Sequence, residues 1–143
     1  MYTIDKLNKS DYYRGYLDVL EQLTDVEKDK INYKDFCKRY DEMNNRNINV
    51  YVIRSEKKII GTASLIIEPK FIHNLGSVAH IEDVVIDINY RGNGLGKKII
   101  DHIVNIARER NCYKIILDCS SNNVGFYKKC GFNDKNIGMS LYF

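Results

Sequence analysis

The sequence predicts one mixed α/β domain, ordered as two helices, three strands, helix, strand, helix and strand. Three observations carry this. Apolar residues recur three or four apart in two N-terminal segments. β-branched runs bounded by polar turns follow them. A glycine-rich turn then joins the third strand to a long amphipathic helix. At 143 residues the chain suits a single domain with a core of its own.

In the first helix, residues 10–24, the apolar face is Tyr13, Tyr16, Leu17, Leu20 and Leu23, with Ser10 or Asp11 as the cap. Residues 33–44 repeat the pattern with Tyr33, Phe36, Cys37, Tyr40 and Met43, and Asn44-Asn45-Arg46-Asn47 ends it. Strands 50–53 and 59–67 flank the turn Ser55-Glu56-Lys57-Lys58 and read as an antiparallel hairpin. After a polar loop, 70–78, comes the strand His80-Ile81-Glu82-Asp83-Val84-Val85-Ile86. Leu95, Ile99, Ile100, Ile103, Ile106 and Ala107 define the next helix face, and a strand from Tyr113 to Cys119 follows. Asn122 or Asn123 caps a short helix, Val124 to Cys130, which Gly131 closes in the left-handed position. Met139 to Phe143 reads as a last strand.

Composition narrows the function. Hydrophobic residues at 44% and charged residues at 29% give an ordinary globular balance. No apolar run approaches the roughly 20 residues of a membrane span. Met1-Tyr2-Thr3-Ile4-Asp5-Lys6 lacks the order of a signal peptide, so a cytoplasmic location is expected by default. A net charge of +3 is too small to argue for nucleic acid, and its lysines and arginines interleave with acids, as in Glu27-Lys28-Asp29-Lys30. Cys37, Cys112, Cys119 and Cys130 form no CxxC pair, so neither a disulfide framework nor a metal site is expected.

The chemistry concentrates in Arg91-Gly92-Asn93-Gly94-Leu95-Gly96-Lys97, between strand and helix. Glycines at alternate positions remove side chains where the unpaired N–H groups of a helix start point outward. The turn is thus an anion pocket reinforced by the helix dipole, suited to a pyrophosphate. A Walker A loop needs a hydroxyl where Lys98 stands. The dinucleotide fingerprint needs G-x-G-x-x-G, whereas these glycines run G-x-G-x-G.

This loop resembles the pyrophosphate grip, R/Q-x-x-G-x-G/A, of the GNAT acetyltransferases. Further stretches resemble one branch, the glucosamine 6-phosphate N-acetyltransferases: Ile81 to Val85, Cys112 to Cys119, Asn123 to Phe132, Lys70-Phe71-Ile72-His73 and Gln22-Leu23-Thr24. The resemblance implies the GNAT fold, a mixed, mostly antiparallel sheet flanked by helices, whose splayed strands bind acetyl-coenzyme A without metal. By the same resemblance, Val84, Val85 and Ile86 pair with the pantetheine amides and Arg91, Gly92, Asn93, Gly94, Leu95, Gly96 and Lys97 hold the pyrophosphate. Asn123, Tyr127, Lys128 and Lys129 lie along the coenzyme, with Tyr127 as acid or hydrogen-bond donor to the departing thiolate.

The phosphosugar and its amine fall to Glu82, Asp83, Asp118 and the backbone at Val84. Its phosphate side takes Lys70, Phe71, Ile72 and His73, with Thr24, Tyr113 and Lys114 at the pocket's border. The family's last strand crosses to a second subunit, implying a homodimer with a shared active site. Tyr142 stands about where relatives carry a phosphate-binding arginine. Bland readings compete: Tyr127 as helix packing, the carboxylates as turn residues, His73 as a loop cap. At the level of function, the rivals are an acetyltransferase for protein, polyamine or drug amines and a non-catalytic acetyl-coenzyme A-binding module.

Overall fold

Five strands lie side by side in chain order in a computed structural model that describes residues 1–143: β1 (Tyr2–Lys6), β2 (Ile48–Ser55), β3 (Lys58–Pro69), β4 (Ser77–Ile86) and β5 (Cys112–Ile116). Neighbours are antiparallel from β1 to β4, and β4 pairs with β5 in parallel. Four helices, α1 (Tyr16–Glu21), α2 (Tyr33–Asn45), α3 (Leu95–Glu109) and α4 (Val124–Lys129), flank the sheet. This is the mixed α/β arrangement that the pattern predicted and the mostly antiparallel sheet that the resemblance implied.

Two layers of core follow from the strands' alternation. Ile99, Ile100 and Ile103 of α3 are fully buried against Leu65, Ala79 and Ile81 on one face. Burial of each contributes about 1.5–3 kcal/mol. On the opposite face, Val19 of α1 and Phe36 of α2 cover Val50, Val52, Ile59 and Val85. Beyond that cover, Glu68, His80, Glu82, Lys114, Ile116 and Asp118 share a face that no helix packs on.

Four expectations change. Strand β1 adds an edge that its polar Asp5 and Lys6 hid; Ile4 pairs with Ile53. The helix expected over 10–24 is a 3₁₀ turn, Lys9–Arg14, and then α1, parted by Gly15 at φ 83°. Asp11 is not its cap. Its fully buried carboxylate accepts from Arg54 Nε and Nη2 at 3.0 and 2.7 Å and from the Asn8 N–H at 2.8 Å. Strand β5 stops at Ile116, since β4 leaves it there. Residues 139–143 are not a strand: within one chain they find no sheet edge, and Met139, Leu141, Tyr142 and Phe143 are exposed.

Candidate active site

The site begins where β4 and β5 separate. Their parallel pairing ends at His80–Ile116, while β4 continues along β3 to Ile86. Between Thr62–Val85 and Ser64–Glu82, Ala63 alone faces Asp83 and Val84, which is a β-bulge. Asp83 takes the extra turn at φ 51°, a conformation costly for most side chains but tolerated by Asp. The bulge resets the alternation: Val84 and Ile86 join Ile81 on the α3 face, while Val85 turns to the α1–α2 layer. A sequence hint existed in the adjacent acids Glu82-Asp83, which break a period of two.

Past Ile86 the chain makes a 3₁₀ turn, Ile88–Tyr90, and enters the glycine loop. Gly92 and Gly94 have φ of 82° and 75°, and a Cβ on either would meet no atom within 4 Å, so the loop's outer side is open. Gly96 differs. A Cβ there would lie 3.1 Å from the Phe126 ring, so this glycine serves the packing of α3 on α4. The loop is braced from within by Arg91 Nε donating to the Ile86 carbonyl at 2.8 Å and Asn93 Nδ2 donating to the Tyr90 carbonyl at 3.0 Å. Leu95 is buried and offers backbone alone, while Lys97 pairs with Asp101 at 2.6 Å. These residues fit a pyrophosphate at the start of a 15-residue helix.

The carboxylates and the phenol converge near the wedge. Glu82 has its pKa raised, by partial desolvation first and then by the charges of Asp83 and Asp118, against an opposing pull from His80. Tyr127 is buried to 9 % exposure, and with Asp118, Cys119 and Lys128 it lines a groove of about 620 Å³. Burial raises its pKa, with smaller contributions from Cys119 and Cys130. The phenol therefore stays protonated at neutral pH. Lys128 pairs with Asp134 at 3.2 Å, and Lys129 and Asn123 are exposed on α4 and at its start. No group of three or more His, Cys, Asp or Glu side chains is placed to hold a metal.

The expected phosphate-side residues stand at the other end of β4 from the glycine loop. His73, Asn74 and Leu75 are all left-handed, a strained turn that stacks the His73 ring on Tyr113 at 4.0 Å. Gly76 makes the contact possible, because a Cβ would meet the Tyr113 ring at 2.8 Å. Phe71 and Ile72 are exposed, and Lys114 sits with its ammonium 6.0 Å from the Tyr113 ring centre. Lys70 is held by Glu68 at 3.1 Å. Hydrogen bonds from His80 and then Lys70 lower the pKa of Glu68. This cluster stands at the start of β4 and β5, whereas the glycine loop follows the end of β4, roughly 30 Å away along ten residues of strand. Thr24 is exposed beyond α1, and Tyr142 is exposed in the tail.

Glu68 and His80 were not anticipated as parts of the site. The spacing of His80 and Glu82, two apart on one strand, was the available signal that this face is open.

A family model, the Acetyltransferase (GNAT) family, matches residues 4–132. Glucosamine 6-phosphate N-acetyltransferase of Arabidopsis thaliana is 40% identical over 146 residues, covering 99% of this chain and 97% of that protein. The Candida albicans enzyme of the same name is 39% identical over 145 residues, covering 99% and 96%. The crystal structure of the Arabidopsis protein superposes with a TM-score of 0.95, covering 100% of this chain and 99% of that one. A Trypanosoma brucei acetyltransferase superposes at 0.94 with 36% identity and full coverage of both chains. The chain belongs to the GNAT acetyltransferase family, in the branch formed by the glucosamine 6-phosphate N-acetyltransferases.

Proposed function

We propose that this protein transfers the acetyl group of acetyl-coenzyme A to the amine of glucosamine 6-phosphate, giving N-acetylglucosamine 6-phosphate for amino-sugar biosynthesis. The wedge between β4 and β5, with Glu82 and Asp83 on the β4 side and Asp118 with the buried Tyr127 phenol on the β5 side, carries the reading. Coenzyme binding there supplies the activated acetyl thioester. Residues Val84, Val85 and Ile86 offer backbone along the wedge, and the loop from Arg91 to Lys97 takes the pyrophosphate. Glu82, with Asp83 and Asp118, holds the amine and accepts its proton directly or through water. The Tyr127 hydroxyl donates to the sulfur as negative charge develops on it. Asn123, Lys128 and Lys129 flank the coenzyme from α4.

We further propose a homodimer. In one chain the Lys70–His73 turn with Tyr113 and Lys114 lies far from the glycine loop, and the apolar tail is uncovered. Pairing two chains about a two-fold axis brings one subunit's Lys70 cluster toward the other's wedge and covers both tails. Tyr142 then adds shape and a hydroxyl to the partner's sugar site, Lys70 and Lys114 supply the charge at the phosphate, and His73 offers a hydrogen bond.

The test is a thiol-release assay over a panel of amines, including glucosamine with and without its 6-phosphate, polyamines and lysine peptides. Turnover restricted to the phosphosugar is expected. Faster turnover of a peptide or polyamine overturns the acceptor, and absence of thiol release with every amine overturns catalysis.

A further inference from the structure

We propose that Gln22 is a positioning residue for the coenzyme loop, fixing from the end of α1 the backbone turn that leads β4 into Arg91–Lys97. Gln22 Oε1 accepts the Ile88 N–H at 2.8 Å, a bond between residues 66 apart in sequence. The donor belongs to the first residue of the 3₁₀ turn Ile88–Tyr90. Strand pairing has just ended there: the last β3 contact is the Asp87 N–H to the Ile60 carbonyl at 2.8 Å. Ile88 itself is exposed and anchors nothing by packing.

The carboxylate next to it completes the arrangement. Asp87 is 3 % exposed, accepts from the Asn89 N–H at 2.9 Å and pairs with Lys58 Nζ at 3.4 Å. Burial pushes its pKa up, but the Asn89 N–H, Lys58 and the Gln22 amide together outweigh that and hold it below its usual value. The Gln22 amide, whose Oε1 accepts from the Ile88 N–H, is also among the groups that hold the Asp87 pKa down. A glutamate here would place a second charge beside Asp87, and an asparagine is one methylene shorter.

Farther along, the loop holds itself through Arg91 to Ile86 and Asn93 to Tyr90. The first ties Arg91 back to the last residue of β4, but neither holds the turn at Ile88. At the turn's base, polar anchoring to the rest of the fold runs through Gln22 and Lys58. Anion binding at a helix start depends on where the N–H groups point, so a turn free to swing costs affinity for the pyrophosphate.

The inference rests on the coenzyme reading above, and the experiment separates the two. Gln22→Met keeps length and removes the hydrogen bond to Ile88 at an exposed position. Acetyl-coenzyme A is compared with S-acetylpantetheine, which lacks the pyrophosphate, and Ile88 amide exchange is followed in unliganded protein. We expect the KM for acetyl-coenzyme A to rise about three- to tenfold, the scale of one net hydrogen bond. Its kcat should hold, kcat/KM for S-acetylpantetheine should not change, and Ile88 should exchange faster. An unchanged KM for acetyl-coenzyme A, or an equal loss with both donors, overturns the positioning role. A wild-type protein that uses neither donor overturns the coenzyme reading instead. Unaltered Ile88 exchange in the variant then overturns the staple as well.

Discussion

Tyr127 and Phe132 are tied together twice: the Phe132 N–H donates to the Tyr127 carbonyl at 3.0 Å, and their rings meet edge-on with centroids 6.0 Å apart. The Gly131 N–H donates to the Lys128 carbonyl at 3.0 Å, with Gly131 at φ 96°. This is a Schellman close with its apolar contact, and it sets where the α4 end points the Tyr127 phenol.

Tyr127→Phe keeps that packing and removes only the hydroxyl. Turnover should fall on the order of 10²–10⁴-fold with little change in either KM. Steady-state kinetics with chemistry rate-limiting check this; wild-type turnover makes Tyr127 a packing residue.

Gly94→Val should weaken coenzyme binding strongly while costing the fold little beyond backbone strain. The residue is left-handed and its Cβ meets nothing within the chain, so the new side chain projects into the anion pocket. Calorimetric titration with coenzyme A is the measurement, beside a thermal melt.

Asp11→Ala should destabilise the fold by about 1.5–3 kcal/mol, because it leaves the Arg54 guanidinium, 11% exposed, with only Asp5 and the Lys6 carbonyl as partners. Denaturant unfolding reads the loss. Activity below the melting transition should survive, since neither residue touches the wedge.

Glu82 binds its proton more tightly in the folded state than at its ordinary value of 4.5. The sign follows: folding is favoured as pH falls into the window above 4.5, and that contribution is lost once pH exceeds the raised value. Glu82→Gln should therefore raise the melting temperature at neutral pH. If ionised Glu82 accepts the amine proton, kcat/KM falls as pH drops through the raised pKa. Asp118→Asn, which removes one of the charges raising it, should move that acid limb to lower pH.

Deleting Leu141 to Phe143 should shift the protein toward monomer and raise the KM for the sugar phosphate more than that for the coenzyme. Sedimentation at working concentrations and paired kinetics are the measurements. A full-length protein that is monomeric and fully active defeats the shared-site proposal.

Local pattern was enough for much of this molecule. The periodicity of Leu95 to Ala107, the hairpin about Ser55–Lys58, the left-handed Gly131 close and the glycine turn between β4 and α3 all depend on residues within one or two turns of each other, and each is present as expected. What the sequence hid depends on partners far along the chain. Asp11 reads as a helix cap until Arg54, 43 residues on, claims its carboxylate. Edge strand β1 becomes a strand only because β2 offers it a ladder. The bulge at Asp83, which aims Val84 to Ile86, exists only as a mismatch of register between two strands. Tertiary structure also sets the spacing of the expected site, with the Lys70–His73 turn and the glycine loop at opposite ends of β4. Composition and spacing reveal which residues carry chemistry; only long-range pairing decides which of them meet.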